Sequence, residues 1–313
     1  QWDVAVQRQV QLQGPDAGAL AQILTPRDLS GCVAGQGKYV ALCDHEGTLI
    51  NDPVLLKLDE NRYWLSIADS NIWFWARAVA AERGLKVEVS EPDVSPMAVQ
   101  GPKGEEVVAS IFGDWIRNLK YFWFRQSEIE GIPVIVARSG WSKQGGFEIY
   151  LMDGTQGMRL WDLVKEAGQP WDIGPGGPNL AERVESGLLS FGGDTDARTN
   201  PFEVRLGKYI DLGVAAEVIG IEALRCIHAG GPKRQQLGLV LDGDQPTALG
   251  FNWNKIRCNG HSIGHLTNCV WSWRLRRNIG FALVAGTCRA GERVEITREG
   301  QIMSGELVEL PFL

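Results

Sequence analysis

Histidine is scarce, with 4 in 313 residues, and no Gly-x-Ser-x-Gly elbow presents a nucleophile, so triad chemistry finds no support. Positive charge is the minority sign: 31 Lys and Arg against 38 Asp and Glu give a net charge of -7. A nucleic-acid groove needs clustered cations to neutralise phosphates, and the one basic run, Arg274-Leu275-Arg276-Arg277, is too short to supply them. No apolar run approaches the roughly 18 residues of a membrane span, and no charged-then-apolar leader opens the chain. A cytoplasmic protein is the expectation; the start at Gln1 without Met is compatible with residues upstream. The 6 cysteines, at 32, 43, 226, 258, 269 and 288, are irregularly spaced, which favours reduced thiols over a disulfide framework. The glycine-rich loop 174–179 has neither Gly-Lys-Ser/Thr nor Gly-x-Gly-x-x-Gly, so it is weak as a phosphate loop.

The length suits two or three domains, and an internal echo is visible. Gln13-Gly14-Pro15 leads into 18–24 and Gln100-Gly101-Pro102 into 105–112, each as strand, turn and helix, with Pro expected just inside the helix start. Two occurrences point to duplicated lobes rather than a solenoid. Between them, 39–43, 54–58 and 63–68 are expected as a short antiparallel meander, followed by an aromatic-rich helix over 71–83. Further helices are expected over 157–167 and 178–190, the second leaving free N–H groups at its start where a carboxylate or carbonyl would bind. Past a linker at 229–233, strands over 237–241, 255–258, 261–266, 279–284 and 293–297 predict a small separate β-barrel or sandwich. Within it Cys258, His261, His265 and Cys269 have zinc-like spacing, yet Asn259-Gly260 is a strong hairpin signal between alternating flanks. The hairpin is preferred and no metal is expected.

The most informative stretch runs Ala137-Arg138-Ser139-Gly140-Trp141-Ser142-Lys143-Gln144-Gly145-Gly146-Phe147-Glu148-Ile149-Tyr150. It places an aromatic, a fixed positive charge and a carboxylate in a glycine-relaxed turn between two apolar runs, as a small-ligand site requires. Among 12 Trp, most are expected to be core, including Trp73 and Trp75. Trp141 has two readings: a plug at a sheet end, or a ring stacked on a heterocycle or facing a cation. Asp52, just before the apolar run Val54-Leu55-Leu56, either caps a turn or accepts a proton in a cleft. Glu148 points opposite to Phe147 and Ile149, and the sequence leaves open which face is buried. On a buried face its carboxylate needs a partner, and a guanidine-like ligand edge would satisfy it.

Taken together, the two Gln-Gly-Pro turns, Leu49-Ile50-Asn51-Asp52, Arg138-Ser139-Gly140-Trp141, Gly146-Phe147-Glu148, Asn200-Pro201-Phe202-Glu203 and the closing barrel resemble the tetrahydrofolate-dependent aminomethyltransferase (glycine-cleavage T-protein) superfamily across essentially the whole chain. Asn51-Asp52-Pro53, Ser66-Ile67-Ala68-Asp69-Ser70, the Trp141 segment, Pro178-Asn179-Leu180 and Leu310-Pro311-Phe312 are similar to its dimethylsulfoniopropionate demethylase branch. The resemblance implies an α+β, three-lobed fold: two related α/β lobes with antiparallel sheets, 1–60 with 145–230 and 61–144, plus a C-terminal β-barrel over 233–313. It implies Asp52 as catalytic residue, Trp141, Lys143 and Phe191 toward the substrate, and Tyr39, Asp52, Ala68, Phe122, Trp141, Glu148 and Asn179 toward tetrahydrofolate.

The activity it implies is transfer of a methyl group from dimethylsulfoniopropionate to folate N5. A sulfonium is already a good leaving group, so alignment is the main task, with Trp141 holding the cation, Lys143 meeting a carboxylate and Asp52 helping N5 lose its proton. The partners implied are a small-molecule substrate, with no nucleic acid and no membrane, and a homodimer is an assembly open to it. The branch pattern is departed from at Phe191 (Tyr), Gly193 (Asn), Gly177 (Cys) and Ser272-Trp273-Arg274. These departures leave room for a paralogue acting on another sulfonium, betaine or methoxy compound, and a non-enzymatic folate-binding accessory protein is the alternative from another class.

Overall fold

Both Gln-Gly-Pro segments fold as strand, turn and helix in the computed structural model, which describes residues 1–67, 71–140, 142, 144–215, 217–244, 246, 253–298 and 301–313. Strand Arg8–Gln13 leads through Gly14 (φ 141°) to helix Ala17–Leu24, and strand Ser95–Gln100 through Gly101 (φ 119°) to helix Gly104–Phe112. The prolines lie one step earlier than expected. Pro15 and Pro102 stand before the N-caps Asp16 and Lys103, so they shape the turn rather than the first helical residue.

The chain divides into two compact units, residues 1–42 with 52–178 and residues 43–51 with 179–313. The first holds two five-stranded antiparallel sheets. One runs in the order Gln36–Tyr39, Val54–Asp59, Arg62–Ile67, Arg8–Gln13, Glu88–Ser90. The other runs Trp2–Asp3, Ser95–Gln100, Gly146–Leu151, Ile132–Ala137, Phe124–Ile129. Strand Arg62–Ile67 therefore belongs with the strands before residue 60, and the division between sheets falls between Ser90 and Ser95. The meander registers as a hydrogen-bonded set, and the helix after it spans Asn71–Glu82.

The second sheet is covered on both faces. Val99, Phe147, Ile149 and Leu151 pack against Val107 and Val108 of helix Gly104–Phe112 and Leu160 and Val164 of helix Gly157–Gly168. On the opposite face Phe124, Ile135, Ala137 and Tyr150 pack against Leu56, Leu58 and Trp64 of the first sheet. Each buried Val, Leu, Ile or Phe among them contributes about 1.5–3 kcal/mol. Strand Gly146–Leu151 thus alternates between two cores, and Glu148 lies on the Tyr150 side, toward the other sheet.

In the second unit, strands Arg234–Leu241, Arg277–Ala285, His261–Ser272, Asn254–Cys258, Arg293–Arg298 and Gln301–Val308 close into a barrel. Its interior holds Leu237, Leu239, Ile256, Leu266, Val284, Val294, Ile296 and Leu307. Asn259 and Gly260 take φ of 49° and 81°, as a two-residue hairpin turn requires, with Cys258 opposite His261. His261 is exposed and Cys269 is buried opposite Gly280. Among the described residues no three His, Cys, Asp or Glu side chains converge as metal ligands. Gly260-His261-Ser262-Ile263-Gly264 spells Gly-x-Ser-x-Gly, but it runs along a hairpin strand rather than a strand-to-helix elbow. No described helix is long and apolar enough to cross a membrane.

The helix expected over 178–190 is shorter, Leu180–Glu185. It stops because Gly187 (φ 72°) donates to the Val184 carbonyl and Leu188 to that of Arg183, satisfying the last carbonyls. The segment beyond is organised by a buried ion pair instead. Arg183 and Asp194 are 1% and 0% exposed and bonded to each other, and Arg183 also donates to the Leu188 carbonyl at 2.7 Å. Asp194 further accepts from the Ser190 N–H at 3.0 Å, the Thr267 hydroxyl at 3.0 Å and the Asn268 amide. One carboxylate thereby joins a helix, a loop and a barrel strand. Removing it strands a buried guanidinium, so Asp194→Ala is expected to cost about 3–5 kcal/mol in urea unfolding, far above a surface substitution such as Asp162→Ala.

Candidate functional site

Four of the expected site residues, Tyr39, Asp52, Phe122 and Glu148, lie in the first unit, where the two sheets are stitched together. The Tyr39 hydroxyl donates to the Asp52 carboxylate. This bond follows from the register: Tyr39 pairs with Val54, two residues beyond Asp52 as the chain enters its strand. Tyr39 also ends a strand whose Gly37 N–H donates to the Phe122 carbonyl at 2.5 Å. Phe122 takes the left-handed conformation, φ 62°, so that its own N–H turns to the Arg138 carbonyl at 2.8 Å. The next residue, Ser139, donates its hydroxyl to Glu148. A continuous run of covalent and hydrogen bonds therefore links Asp52 to Glu148.

Around Glu148 the environment is polar but closed. Its Oε2 accepts from Ser139 and from the Tyr150 hydroxyl at 3.3 Å, and Ser66, from the other sheet, donates to Tyr150. No donor among the described residues meets Oε1. The residue is enclosed by protein yet keeps partial solvent accessibility, as expected of a group in a recess. Burial raises its pKa above the ordinary 4.5, opposed by the Ser139 and Tyr150 hydrogen bonds. The Tyr150 hydroxyl is pushed well above its ordinary range by burial and then by the neighbouring Glu148 charge. Chemically, this is an acceptor oxygen with a fixed direction, suited to an N–H edge.

Several residues that hold this arrangement were not among the expected site residues. Gln100, which served only as a repeat marker, clamps the turn: its amide donates to the carbonyls of Ser139 at 3.3 Å and Phe147 at 3.4 Å, and it accepts from Ser142 at 3.0 Å. Its approach explains two glycines. A Cβ at Gly140 would fall 2.2 Å from the Gln100 amide and one at Gly146 2.4 Å from the Val99 carbonyl, and both positions have positive φ. In the other copy of the repeat, Gln13 is exposed and merely accepts from Gln11. Conjunction of Gln-Gly-Pro with the glycine-rich turn was the available sequence signal for Gln100; Ser66, Ser139 and Tyr150 stood within quoted motifs but were given no role of their own. Arg138, the fixed positive charge of the turn, is committed to structure: it pairs with Glu105 at 2.7 Å, donates to the Arg117 and Leu119 carbonyls and stacks on Phe147.

Trp141, Lys143 and Ala68 lie outside the described residues. Phe191 and Asn179 belong to the second unit. Phe191 is half-buried and bridges to Thr195, beside the Asp194 hub. Asn179 caps helix Leu180–Glu185 through its side-chain oxygen, 2.9 Å from the Glu182 N–H, which meets one of the free donors expected there. In the loop before it the Gly176 N–H is already taken by the Gln1 carbonyl at 2.9 Å.

Comparison with known proteins accords with this architecture. Residues 1–213 match the GCVT N-terminal domain and residues 234–313 the glycine cleavage T-protein C-terminal barrel domain. The chain belongs to the glycine-cleavage T-protein family. It is 40% identical over 283 residues to dimethylsulfoniopropionate demethylase DmdA of Ruegeria pomeroyi, spanning 90% of this chain and 77% of that protein. It is 27% identical over 318 residues to an aminomethyltransferase of Caldanaerobacter subterraneus subsp. tengcongensis, spanning 99% and 84%. The crystal structure of glycine cleavage system aminomethyltransferase T from Bartonella henselae superposes with a TM-score of 0.86 at 22% identity, covering 100% of this chain and 85% of that one. That likeness establishes the α+β fold with its closing barrel.

A raised carboxyl pKa has a defined consequence for stability. Between the unfolded pKa near 4.5 and the higher folded one, the native state binds more protons at Glu148 than the unfolded state, so this group's contribution to stability falls as pH rises through that window. Glu148→Gln removes the titration. Urea unfolding from pH 4.5 upward is expected to show a downward contribution in the parent that the variant lacks, leaving Glu148→Gln at least as stable at pH 7; a variant less stable at pH 7 would contradict the assignment.

Proposed function

We propose that this protein is a tetrahydrofolate-dependent demethylase that takes a methyl group from dimethylsulfoniopropionate, giving 5-methyltetrahydrofolate and methylmercaptopropionate. The observation that carries the substrate is the 40% identity, over 90% of the chain, to a protein named for that activity. The folate half is supported by Glu148. A pterin presents adjacent N–H donors along one edge, and an enclosed carboxylate with one oxygen engaged and the other met by no donor among the described residues suits such an edge. Tetrahydrofolate supplies the nucleophilic nitrogen that accepts the methyl.

Every other task falls to the chain. Glu148 orients the ring, held by Ser139 and Tyr150 so that little reorganisation is needed on binding. Asp52 accepts the proton displaced from N5, and its carboxylate is fixed for this by the Tyr39 hydroxyl. Phe122 lines the same junction. From the sequence, Trp141 faces the donor cation and excludes water, Lys143 meets its carboxylate, and Ala68, Asn179 and Phe191 complete the folate and substrate contacts. The cytoplasm is the proposed compartment, in keeping with six free cysteines and none in a disulfide.

Purified protein incubated with tetrahydrofolate and dimethylsulfoniopropionate is expected to yield 5-methyltetrahydrofolate and methylmercaptopropionate by mass spectrometry. Turnover with glycine betaine or a methoxy compound alone would move the donor while keeping the reaction, whereas failure to bind folate would overturn both. Asp52→Asn is expected to lower kcat by about 10²–10⁴-fold, the range of general acid–base contributions, with folate affinity little changed by fluorescence titration.

A further inference from the structure

The second unit contains a cavity of about 400 Å³ whose described lining is Arg198, Arg234, Trp253 and His265. None of these residues takes part in the proposed reaction. Arg234 is held rigidly: its Nε and Nη2 grip the two oxygens of the buried Glu203 at 2.9 and 2.7 Å, and Nη2 also reaches the Arg198 carbonyl at 2.9 Å. Arg198 projects outward, with its side chain 84% exposed and its Nε and Nη2 on Asp196. That leaves Nη1 of each arginine, and both ring nitrogens of His265, without a hydrogen-bond partner among the described residues. Lys255 pairs with His265 across the strands.

Charge and shape at this cavity are those of an anion receptor. Arg198, Arg234 and Lys255 outnumber Asp196 and Glu203 by one before His265 is counted. Trp253 forms an aromatic wall, its ring centroid 6.2 Å from that of His265, and its indole N–H is anchored on the Gly193 carbonyl at 2.9 Å. Its backbone sits at φ 42°, an uncommon conformation for so bulky a residue and one found preferentially where surroundings constrain a functional side chain.

We infer that this cavity is a binding site for a small oxyanion, a carboxylate or a phosphate group, received by Arg198, Arg234 and His265 against Trp253. A guanidinium N–H donor from each arginine and an imidazole match the spread acceptor oxygens of either group. Proton linkage supports this assignment. Burial first, then the charges of Lys255, Arg234 and Arg198, holds His265 below its ordinary 6.5 in the free protein. A bound anion offsets that repulsion, favours imidazolium and makes binding tighter as pH falls.

Isothermal titration of the intact chain in chloride buffer with two probes tests this: sulfate, which mimics phosphate without titrating between pH 6 and 8, and glutarate. One-site saturation is expected, weakened about tenfold in Arg198→Gln by loss of a charge-assisted contact. Affinity is expected to be higher at pH 6 than at pH 8, and that difference should vanish in His265→Gln. Saturation by sulfate alone would identify a phosphate-type ligand and by glutarate alone a carboxylate. Neither probe saturating below about 10 mM, where binding is too weak to be specific, would overturn the inference. Binding indifferent to Arg198→Gln would overturn it equally. Arg198 is exposed, so its substitution leaves the core untouched and a negative result cannot be laid to misfolding.

Discussion

An ionisable carboxyl group held between two β-sheets is the constraint on which the first unit turns. Glu148 lies on a strand whose alternate residues serve two separate cores, so Phe147 and Ile149 on one side and Tyr150 on the other fix its position, with only partial access to solvent. Burial alone would make the charge untenable. Ser139 and Tyr150 compensate on one oxygen, and Ser66 ties the arrangement to the facing sheet. No donor among the described residues meets the other oxygen, and the proposed folate contact is assigned to it.

The surrounding chain is arranged to keep that geometry. Gln100 grips the turn that bears Ser139, and its closeness requires glycine at 140 and 146. Phe122 accepts an unfavourable backbone conformation to bridge Gly37 and Arg138, so the strand bearing Tyr39 and the residue before Ser139 are fastened to one point. Arg138 contributes by filling space and bonding Glu105 and two carbonyls rather than by presenting charge. The same economy operates in the second unit. There Asp194 satisfies four donors from three segments, and Trp253 fastens Gly193, so the turn around Phe191 is held from both sides.

Much of this organisation was legible in the residues. The duplicated Gln-Gly-Pro turns, the Asn259-Gly260 hairpin and the strand periods of the barrel are short-range signals, and each formed where local stereochemistry demanded. Other elements escaped. Strand Gln301–Val308 carries too few apolar residues to announce itself, because half of it faces water, and it exists because the barrel needs a sixth strand to close. The helix after Asn179 was read too long because its apolar spacing continues past Gly187, while the buried Arg183–Asp194 pair, formed across 11 residues, draws the chain away. Arg62–Ile67, by contrast, pairs with Val54–Asp59 as the expected meander requires, because short connections favour antiparallel neighbours.

By itself the sequence determined the family and with it the reaction class, because motifs such as Leu49-Ile50-Asn51-Asp52 and Gly146-Phe147-Glu148 are contiguous; the roles of Asp52, Tyr39, Phe122 and Glu148 follow from that resemblance as proposals. Only the tertiary structure decided what those groups experience. Which face of its strand buries Glu148, that Arg138 meets Glu105, and that Arg198, Arg234, Trp253 and His265 share a cavity all depend on segments far apart in the chain. The physical reason is that side-chain chemistry is a local property, whereas desolvation and hydrogen-bond partnership are set by whatever the fold brings within a few ångströms.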